Sequence, residues 1–290
     1  MTTNVEGRNL SLHYRKHTAL QDVSFTLTDG KIYGLLGRNG AGKTSLLSIL
    51  ASFREQTDGI ITINGEKPFE NTQLMQQVTF IYPKDYKEDS ESLKTKFESS
   101  KRYRLHFDSE YALYLAERFK LPLDKPIKQF SKGMQAAVGA ILGLANRSPI
   151  TIFDEVYLGM DAPTREIFYQ ELLNDQGDHP RIIILSTHLV SEMEYLFDAI
   201  LILHKGKLLL QEEYESLITK GASITGAAEV VDEFVRNMKK LNVQKLGNTK
   251  LVMVYGELSD AERQIAQEKE LEVGPISLQD LFIHLTEEEA

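Results

Sequence analysis

Short, almost purely apolar runs recur along the chain and predict buried strands. Each run has four to six residues, a length that suits a strand of a parallel sheet covered on both faces. The runs are residues 31–36, 150–153, 182–186 and 199–203. Alternating apolar and polar residues at 23–27 predict a half-buried strand. Residues 60–63, followed by Asn64-Gly65, predict a hairpin.

The apolar pattern changes to helical spacing between about residues 85 and 148, for example at 111–119. Strand patterns return after this stretch. The order predicts an α/β core that a helical insertion interrupts.

The pattern of apolar and polar residues changes again after residues 205–207. Residues 230–241 predict an amphipathic helix, residues 250–255 predict a strand, and Ser277 fits the N-cap of a further helix. We therefore predict a small α+β accessory domain at 217–290, following a main domain at 1–216.

Composition and charge narrow the classes of protein that fit. The chain has 290 residues, of which 42% are hydrophobic and 26% charged, as in a soluble globular protein. The absence of cysteine excludes disulfides and thiolate metal sites, and it fits a cytoplasmic protein, as does the polar N-terminus without a signal segment. The net charge of −9 argues against extended contact with nucleic acid, so no nucleic-acid partner is expected.

Residues 37–44, Gly-Arg-Asn-Gly-Ala-Gly-Lys-Thr, fit every position of a phosphate-binding loop between a strand and a helix. The glycines let backbone N–H groups approach phosphates, and Lys43 supplies a positive charge for the terminal ones. The Thr44 hydroxyl can ligate Mg²⁺. The nucleotide-binding residues expected here are Gly37, Asn39, Gly40, Ala41, Gly42, Lys43, Thr44 and Ser45. Alone, the loop leaves kinase, GTPase and ATPase open.

Two further features point to phosphate chemistry. Asp154 and Glu155 end an apolar strand, where the first acid can hold Mg²⁺ and the second can deprotonate an attacking water. Ser131 can cap a helix rich in small residues, which directs a hydroxyl and free N–H groups outward.

In combination, these motifs resemble the ATPase subunits of ABC transporters. Residues 130–135, Phe-Ser-Lys-Gly-Met-Gln, are similar to the signature motif of that family and lie between the phosphate-binding loop and the Asp-Glu strand, as the family requires. The resemblance implies a P-loop NTPase core with an antiparallel β subdomain. It implies ATP and Mg²⁺ as cofactors, with Ser131 and Gly133 closing over the γ-phosphate of ATP held by a second chain.

The same resemblance assigns roles to further residues. Tyr14 would stack on adenine, Asp161 would be the acid of the loop after the Asp-Glu strand, and His188 would contact the γ-phosphate. The expected catalytic residues are Glu155, His188 and Lys43; the expected metal ligands are Thr44 and Asp154. The resemblance further implies a homodimer, or a pair with a close homologue, on the inner face of the cell membrane. A separate integral-membrane permease would dock on the helical segment and carry the exported small molecule or peptide.

One part of the family pattern is missing. The family has a glutamine that ligates Mg²⁺ at the end of the strand after the predicted hairpin, whereas residues 78–85 read Val-Thr-Phe-Ile-Tyr-Pro-Lys-Asp. Asp85 could offer an oxygen ligand if the loop is longer than usual.

From the residues alone, two alternative functions remain open. A soluble ABC ATPase acting on nucleic acid is disfavoured by the acidic charge, by the single phosphate-binding loop and by the short spacing of 88 residues between Lys43 and Ser131. An ATP-sensing regulatory module is favoured slightly by the missing glutamine and disfavoured by the intact Asp154, Glu155 and His188.

Overall fold

The computed structural model describes residues 2–15, 17–84, 86 and 88–287. The strands are β1 Asn4–Tyr14, β2 His17–Thr28, β3 Ile32–Leu36, β4 Asp58–Ile63, β5 Val78–Ile81, β6 Ile150–Asp154, β7 Ile182–Thr187, β8 Ala199–His204, β9 Lys207–Glu213, β10 Gly221–Ala227, β11 Lys239–Leu246, β12 Thr249–Tyr255 and β13 Glu272–Pro275. The helices are α1 Lys43–Leu50, α2 Thr72–Met75, α3 Leu93–Tyr103, α4 Ser109–Arg118, α5 Lys132–Ala145, α6 Ala162–Asp178, α7 Val190–Met193, α8 Tyr214–Thr219, α9 Ala228–Phe234, α10 Asp260–Glu268 and α11 Leu278–Thr286. Short 3-10 turns cover Ile127–Gln129 and Glu194–Leu196.

The central sheet has the order β5-β6-β7-β3-β8-β9, with β9 alone antiparallel to its neighbour. Every residue of β3 and β6 is buried, because helices or strands cover both faces of this sheet. The four apolar runs are all strands of this sheet, so the predicted α/β core is confirmed. Their carboxyl ends meet at one edge, where ligands of open α/β sheets bind.

A second, three-stranded antiparallel sheet has the order β2-β1-β4 and forms the β subdomain. The hairpin predicted at residues 60–65 is confirmed in its turn and wrong in its second strand. Asn64 and Gly65 form a tight turn that closes a single bridge between Ile63 and Glu66, and β4 pairs with β1 instead. Pro68 follows at once, and since proline has no N–H to donate, it disfavours a returning strand.

The helical segment contains α3, α4 and α5, as the pattern at 85–148 predicts. The helix α5 begins at Lys132 with Ser131 as its cap, and its buried face packs on α4, α6 and β6. This packing joins the segment to the central sheet through one continuous apolar cluster. The helical insertion therefore rests on the strand that carries Asp154.

The C-terminal region is a four-stranded antiparallel sheet, β11-β12-β10-β13, with α9, α10 and α11. The helix predicted at 230–241 is wrong beyond Phe234, since Lys239 begins β11. Residues from Lys239 onward form a strand because they pair with β12 through a tight Gly247-Asn248 turn, in which Gly247 has a φ of 60°. Strand pairing outweighs the local helical spacing.

One face of this sheet buries its own apolar cluster against α9 and α10, while α11 packs on α7 of the main core. The helix α8 crosses the predicted boundary at 216/217, and its Leu217 is buried in the main cluster. The boundary itself stays a prediction.

A buried ion pair network ties α6 to the amino ends of the central strands. Asp175, with 1% of its side chain exposed, accepts from Arg181 Nη2 at 2.7 Å and from Arg147 Nε at 3.1 Å. Replacing Asp175 by Ala leaves the buried Arg181 unpaired, so we expect the free energy of unfolding to fall by about 3–5 kcal/mol in urea titrations. The exposed Asp178 on the same helix is the control, and its Ala variant should stay within about 0.5 kcal/mol of wild type. A loss below about 1 kcal/mol for Asp175→Ala would contradict the network.

Candidate nucleotide-binding site

The phosphate-binding loop joins β3 to α1. Gly42 is the N-cap of α1 and has a φ of 108°, a left-handed conformation that side chains disfavour. A Cβ on Gly42 would also lie 2.7 Å from the carbonyl oxygen of Ala19. The glycine therefore lets the chain turn sharply, so that the first N–H groups of α1 are available to an anion.

Lys43 carries its charge on the inside of this loop. Its side chain is buried, and Nζ donates to the Gly37 carbonyl at 2.7 Å. The same Nζ lies 3.5 Å from Glu155 Oε1. The ammonium group thus lies between the loop and the carboxylate at the end of β6.

Asp154 is a buried carboxylate with two hydroxyl donors. Thr44 Oγ1 donates to Oδ2 at 2.8 Å, and Ser186 Oγ donates to Oδ1 at 2.5 Å. The parallel register of β6 and β7 pairs Asp154 with Ser186, which explains why the two meet. A hydroxyl and a carboxylate in contact, beside a phosphate-binding loop, are oxygen ligands of the kind that Mg²⁺ takes together with substrate phosphates. The residues present therefore fit a magnesium ion.

Glu155 occupies a strained position directly after β6. Its φ of 49° is left-handed, which costs free energy for a residue with a side chain. Its N–H donates to the Ser186 carbonyl at 3.2 Å, and its Oε1 lies 3.2 Å from Nδ1 of His188. The turn directs the carboxylate toward the loop, where it is one-fifth exposed.

These groups border a cleft of about 550 Å³. The predicted residues that line it are Tyr14, Asn39, Gly40, Ala41, Gly42, Lys43, Thr44, Ser45, Asp154 and Glu155. Sequence reasoning missed four further lining residues, which are His17, Ala19, Tyr82 and Pro83. A signal for the last two was present, because a strand that pairs with β6 in parallel must end beside Asp154.

Tyr14 ends β1 at the mouth of the cleft and is half-buried. The guanidinium carbon of Arg54 lies 4.7 Å from the centre of its ring, a cation–π contact. Arg54 therefore covers one face of the ring, and a stacked base would use the other.

Five predicted residues do not line the cleft. Gly37 contributes its carbonyl to Lys43, and His188 reaches the cleft only through Glu155. Ser131 is exposed and caps α5 by accepting from the N–H of Met134 at 3.2 Å. Gly133 packs so closely that a Cβ would lie 2.7 Å from the Gly159 carbonyl oxygen.

The fifth, Asp161, caps α6. Its carboxylate accepts from the N–H of Thr164 at 3.0 Å, and the hydrogen bonds to Thr164 hold the pKa of Asp161 below its usual value. Like Ser131 and Gly133, Asp161 therefore lies outside the cleft of its own chain.

The segment where the family glutamine would stand has a different chemistry. Asp85 lies outside the described residues. Tyr82 and Pro83 border the cleft beside Asp154 and Glu155, and Lys84 Nζ lies 4.9 Å from the centre of the Tyr82 ring. Desolvation, together with nearby Lys96 and Arg104, lowers the pKa of Lys84.

Comparison with known proteins agrees with this geometry. The family model described as ABC transporter matches residues 20–157. The lantibiotic transport ATP-binding protein SrtF of Streptococcus pyogenes is 32% identical over 211 residues, covering 72% of this chain and 90% of SrtF. The Nod factor export ATP-binding protein I of Sinorhizobium fredii is 26% identical and covers 97% of this chain and 85% of its own length.

A solved structure shares the fold. It is a dimeric ATP-binding cassette in a post-hydrolysis state bound to ADP and Pi, with a TM-score of 0.61 and 22% identity. The alignment covers 72% of this chain and 98% of that one. The chain belongs to the ATP-binding proteins of ABC transporters, and it is an ATPase with the fold of that family.

Proposed function

We propose that this chain uses ATP hydrolysis to power export through a separate integral-membrane permease, as one half of a head-to-tail dimer. The observation that carries the proposal is the convergence of Lys43, Thr44, Asp154 and Glu155 on one cleft at the carboxyl edge of the central sheet. Each of these side chains has a distinct task in phosphoryl transfer.

The contacts support the proposed roles. Lys43 and the N–H groups at the start of α1 bind the phosphates, and the ring of Tyr14 offers its free face to adenine. Thr44 and Asp154 would hold Mg²⁺, which supplies charge neutralisation at the phosphates. Glu155 takes the proton of the attacking water, and His188, 3.2 Å from that carboxylate, contacts the γ-phosphate.

A second chain completes the site in this proposal. The support is that Ser131, an exposed helix cap, lies outside the cleft of its own chain while offering a hydroxyl at the positive end of α5. A facing chain would bring Ser131, with Gly133 and Asp161, to the open side of the cleft. One loop and one signature in each chain make a homodimer sufficient.

Mixing two inactive variants tests this composite site. Lys43→Met disables the loop of one chain, and Ser131→Arg blocks the signature of the other. If the site forms between chains, the mixed dimer keeps one intact site, and ATPase activity returns above that of either variant alone.

The matched control is a double variant that carries both substitutions in one chain. It is added in large excess over the wild type, so that most wild-type chains form mixed dimers. Sites between chains are then both damaged, whereas a site within one chain would leave the wild-type partner fully active. Full wild-type activity in this control, and none in the mixture of single variants, would contradict the proposal.

The proposed direction of transport rests on the match of the C-terminal region to a relative, and the proposed location rests on the exposed side chains of the helical segment. The relative that is named for export aligns over 97% of the chain, so its match extends into the C-terminal sheet. Within the described residues, no helix combines the length and apolarity needed to cross a membrane. We place the protein at the inner face of the membrane, docked on a permease.

The helical segment offers exposed apolar side chains for docking, Tyr103 and Leu105. Lys96, on α3 of the same segment, pairs with Asp89 and Glu91, so its charge is neutralised locally. Affinity capture of the full chain from membranes should recover one integral-membrane protein, and a Leu105→Asp variant should lose it while keeping ATP binding.

We further propose division into 1–216 and 217–290, with the C-terminal module as a regulatory or dimer-stabilising element. Support comes from α11, which packs on α7, the short helix that begins at Val190. The module thereby contacts the segment that follows His188.

A further inference from the structure

Tyr157 is a buried tyrosine beside the proposed catalytic groups. It follows Glu155 by two residues, and only 2% of its surface is exposed. Its hydroxyl accepts from Thr187 Oγ1 at 2.9 Å and from the backbone N–H of His188 at 3.4 Å. The same oxygen lies 3.4 Å from His188 Nδ1. One hydroxyl therefore contacts both the backbone and the ring of the segment that presents His188.

The packing around Tyr157 explains why this hydroxyl can fix a position. Its ring belongs to the main apolar cluster, and its centre lies 6.2 Å from that of the imidazole. Thr187 is fully buried, and its oxygen also accepts from the N–H of Leu189 at 2.9 Å. Because the ring of Tyr157 is packed rigidly, its hydroxyl holds the turn at residues 187–189, whose polar groups would otherwise be unpaired.

The Nδ1 atom of His188 has two neighbours of different chemistry. Glu155 Oε1, 3.2 Å away, can only accept while it is ionised, whereas the Tyr157 hydroxyl can also donate. Burial raises the pKa of Tyr157, so this hydroxyl keeps its proton near neutral pH. A protonated Nδ1 therefore has Glu155 as its acceptor, and an unprotonated Nδ1 has Tyr157 as its donor.

We infer that Tyr157 is a positioning residue for hydrolysis, which holds the imidazole of His188 against Glu155 whichever nitrogen carries the proton. This inference rests on the proposed role of His188. Tyr157 would thus act on hydrolysis although its side chain does not line the nucleotide cleft. The ring packs in the core while the hydroxyl orients His188.

Tyr157→Phe tests the inference, because it removes only the hydroxyl. We expect kcat for ATP to fall about threefold to tenfold, the effect of losing one hydrogen bond, with KM nearly unchanged. Histidine-selective ¹⁵N labelling adds a readout that does not depend on turnover. The imidazole signals of His188, assigned among the seven histidines with His188→Gln, should shift or broaden.

Tyr169→Phe is the matched control. Tyr169 is also a buried tyrosine, but its hydroxyl has no hydrogen-bond partner among the described residues. Its variant should keep wild-type kcat and His188 signals. If Tyr157→Phe behaves like Tyr169→Phe in both measurements, the inference is overturned.

Two further variants distinguish the role of Tyr157 from that of His188. Should His188→Gln retain turnover, the proposed role of His188 fails, whereas the His188 signals still decide whether Tyr157 positions the ring. Should Tyr157→Phe fail to fold, Thr187→Val keeps the shape of the Thr187 side chain and removes both the donor to the Tyr157 hydroxyl and the acceptor of the Leu189 N–H. Unchanged His188 signals in that variant would then overturn the inference.

Discussion

Replacing Glu155 by Gln is expected to lower the ATPase turnover number by about 10²- to 10⁴-fold, the usual contribution of a general base. Glutamine keeps the size of the side chain but cannot take a proton from water. The carboxylate it replaces lies 3.5 Å from Lys43 Nζ and 3.2 Å from His188 Nδ1, in a left-handed turn that fixes its direction. Because the phosphate-binding loop is untouched, ATP should still bind and an ATP-bound dimer should accumulate.

Two measurements check this result. Phosphate release gives the turnover number, and size-exclusion chromatography with MgATP shows the dimer. Glu192→Gln is the control, since Glu192 pairs with Arg165 on the surface and does not line the cleft. Turnover of Glu155→Gln within twofold of wild type would remove Glu155 as the base, and an equal loss in Glu192→Gln would indicate general damage.

Replacing Lys43 by Met is expected to weaken ATP binding by about tenfold to 150-fold. This range corresponds to one charged hydrogen bond of about 1.5–3 kcal/mol. Methionine keeps the length of the buried side chain and removes the charge that lies between the Gly37 carbonyl and Glu155. Turnover should fall at least as much as affinity, because the terminal phosphates lose their neutralising charge.

Isothermal titration with ATP measures the affinity directly. Lys31→Met is a close control, because Lys31 precedes the same strand at its opposite end and pairs with Glu213 at 2.6 Å. This variant should bind ATP as the wild type does. An unchanged dissociation constant in Lys43→Met would mean that the loop does not bind the phosphates as proposed.

Local sequence patterns predict the elements that depend on neighbours along the chain. Four strands of the central sheet, β3, β6, β7 and β8, agree with the structure, as does the start of α5 after its cap Ser131. So does the start of α11, where Ser277 accepts from the N–H of Asp280 at 3.0 Å. Capping and buried-strand signals are contained within a few residues, which is why they can be recognised without tertiary information.

The two predictions that are wrong in part share one cause. The pattern at residues 60–65 predicts pairing with a following strand, and the pattern at 230–241 predicts one continuous helix. In both places a strand pairs with a partner chosen by the sheet, β1 in the first case and β12 in the second. Pairing energy between strands lies outside any local window, so local spacing cannot decide it.

The sequence by itself determined the chemistry of this protein. The spacing of residues 37–44, together with Asp154 and Glu155, predicts a nucleotide site because loop, charge and carboxylates are each encoded by short stretches. Only the tertiary structure decided which distant residues join it. The order β5-β6-β7-β3 brings Pro83, Ser186 and the Tyr157–His188 contact to the same edge. Parallel strands meet there because crossover connections bring them together, and no single segment of the sequence determines the resulting strand order.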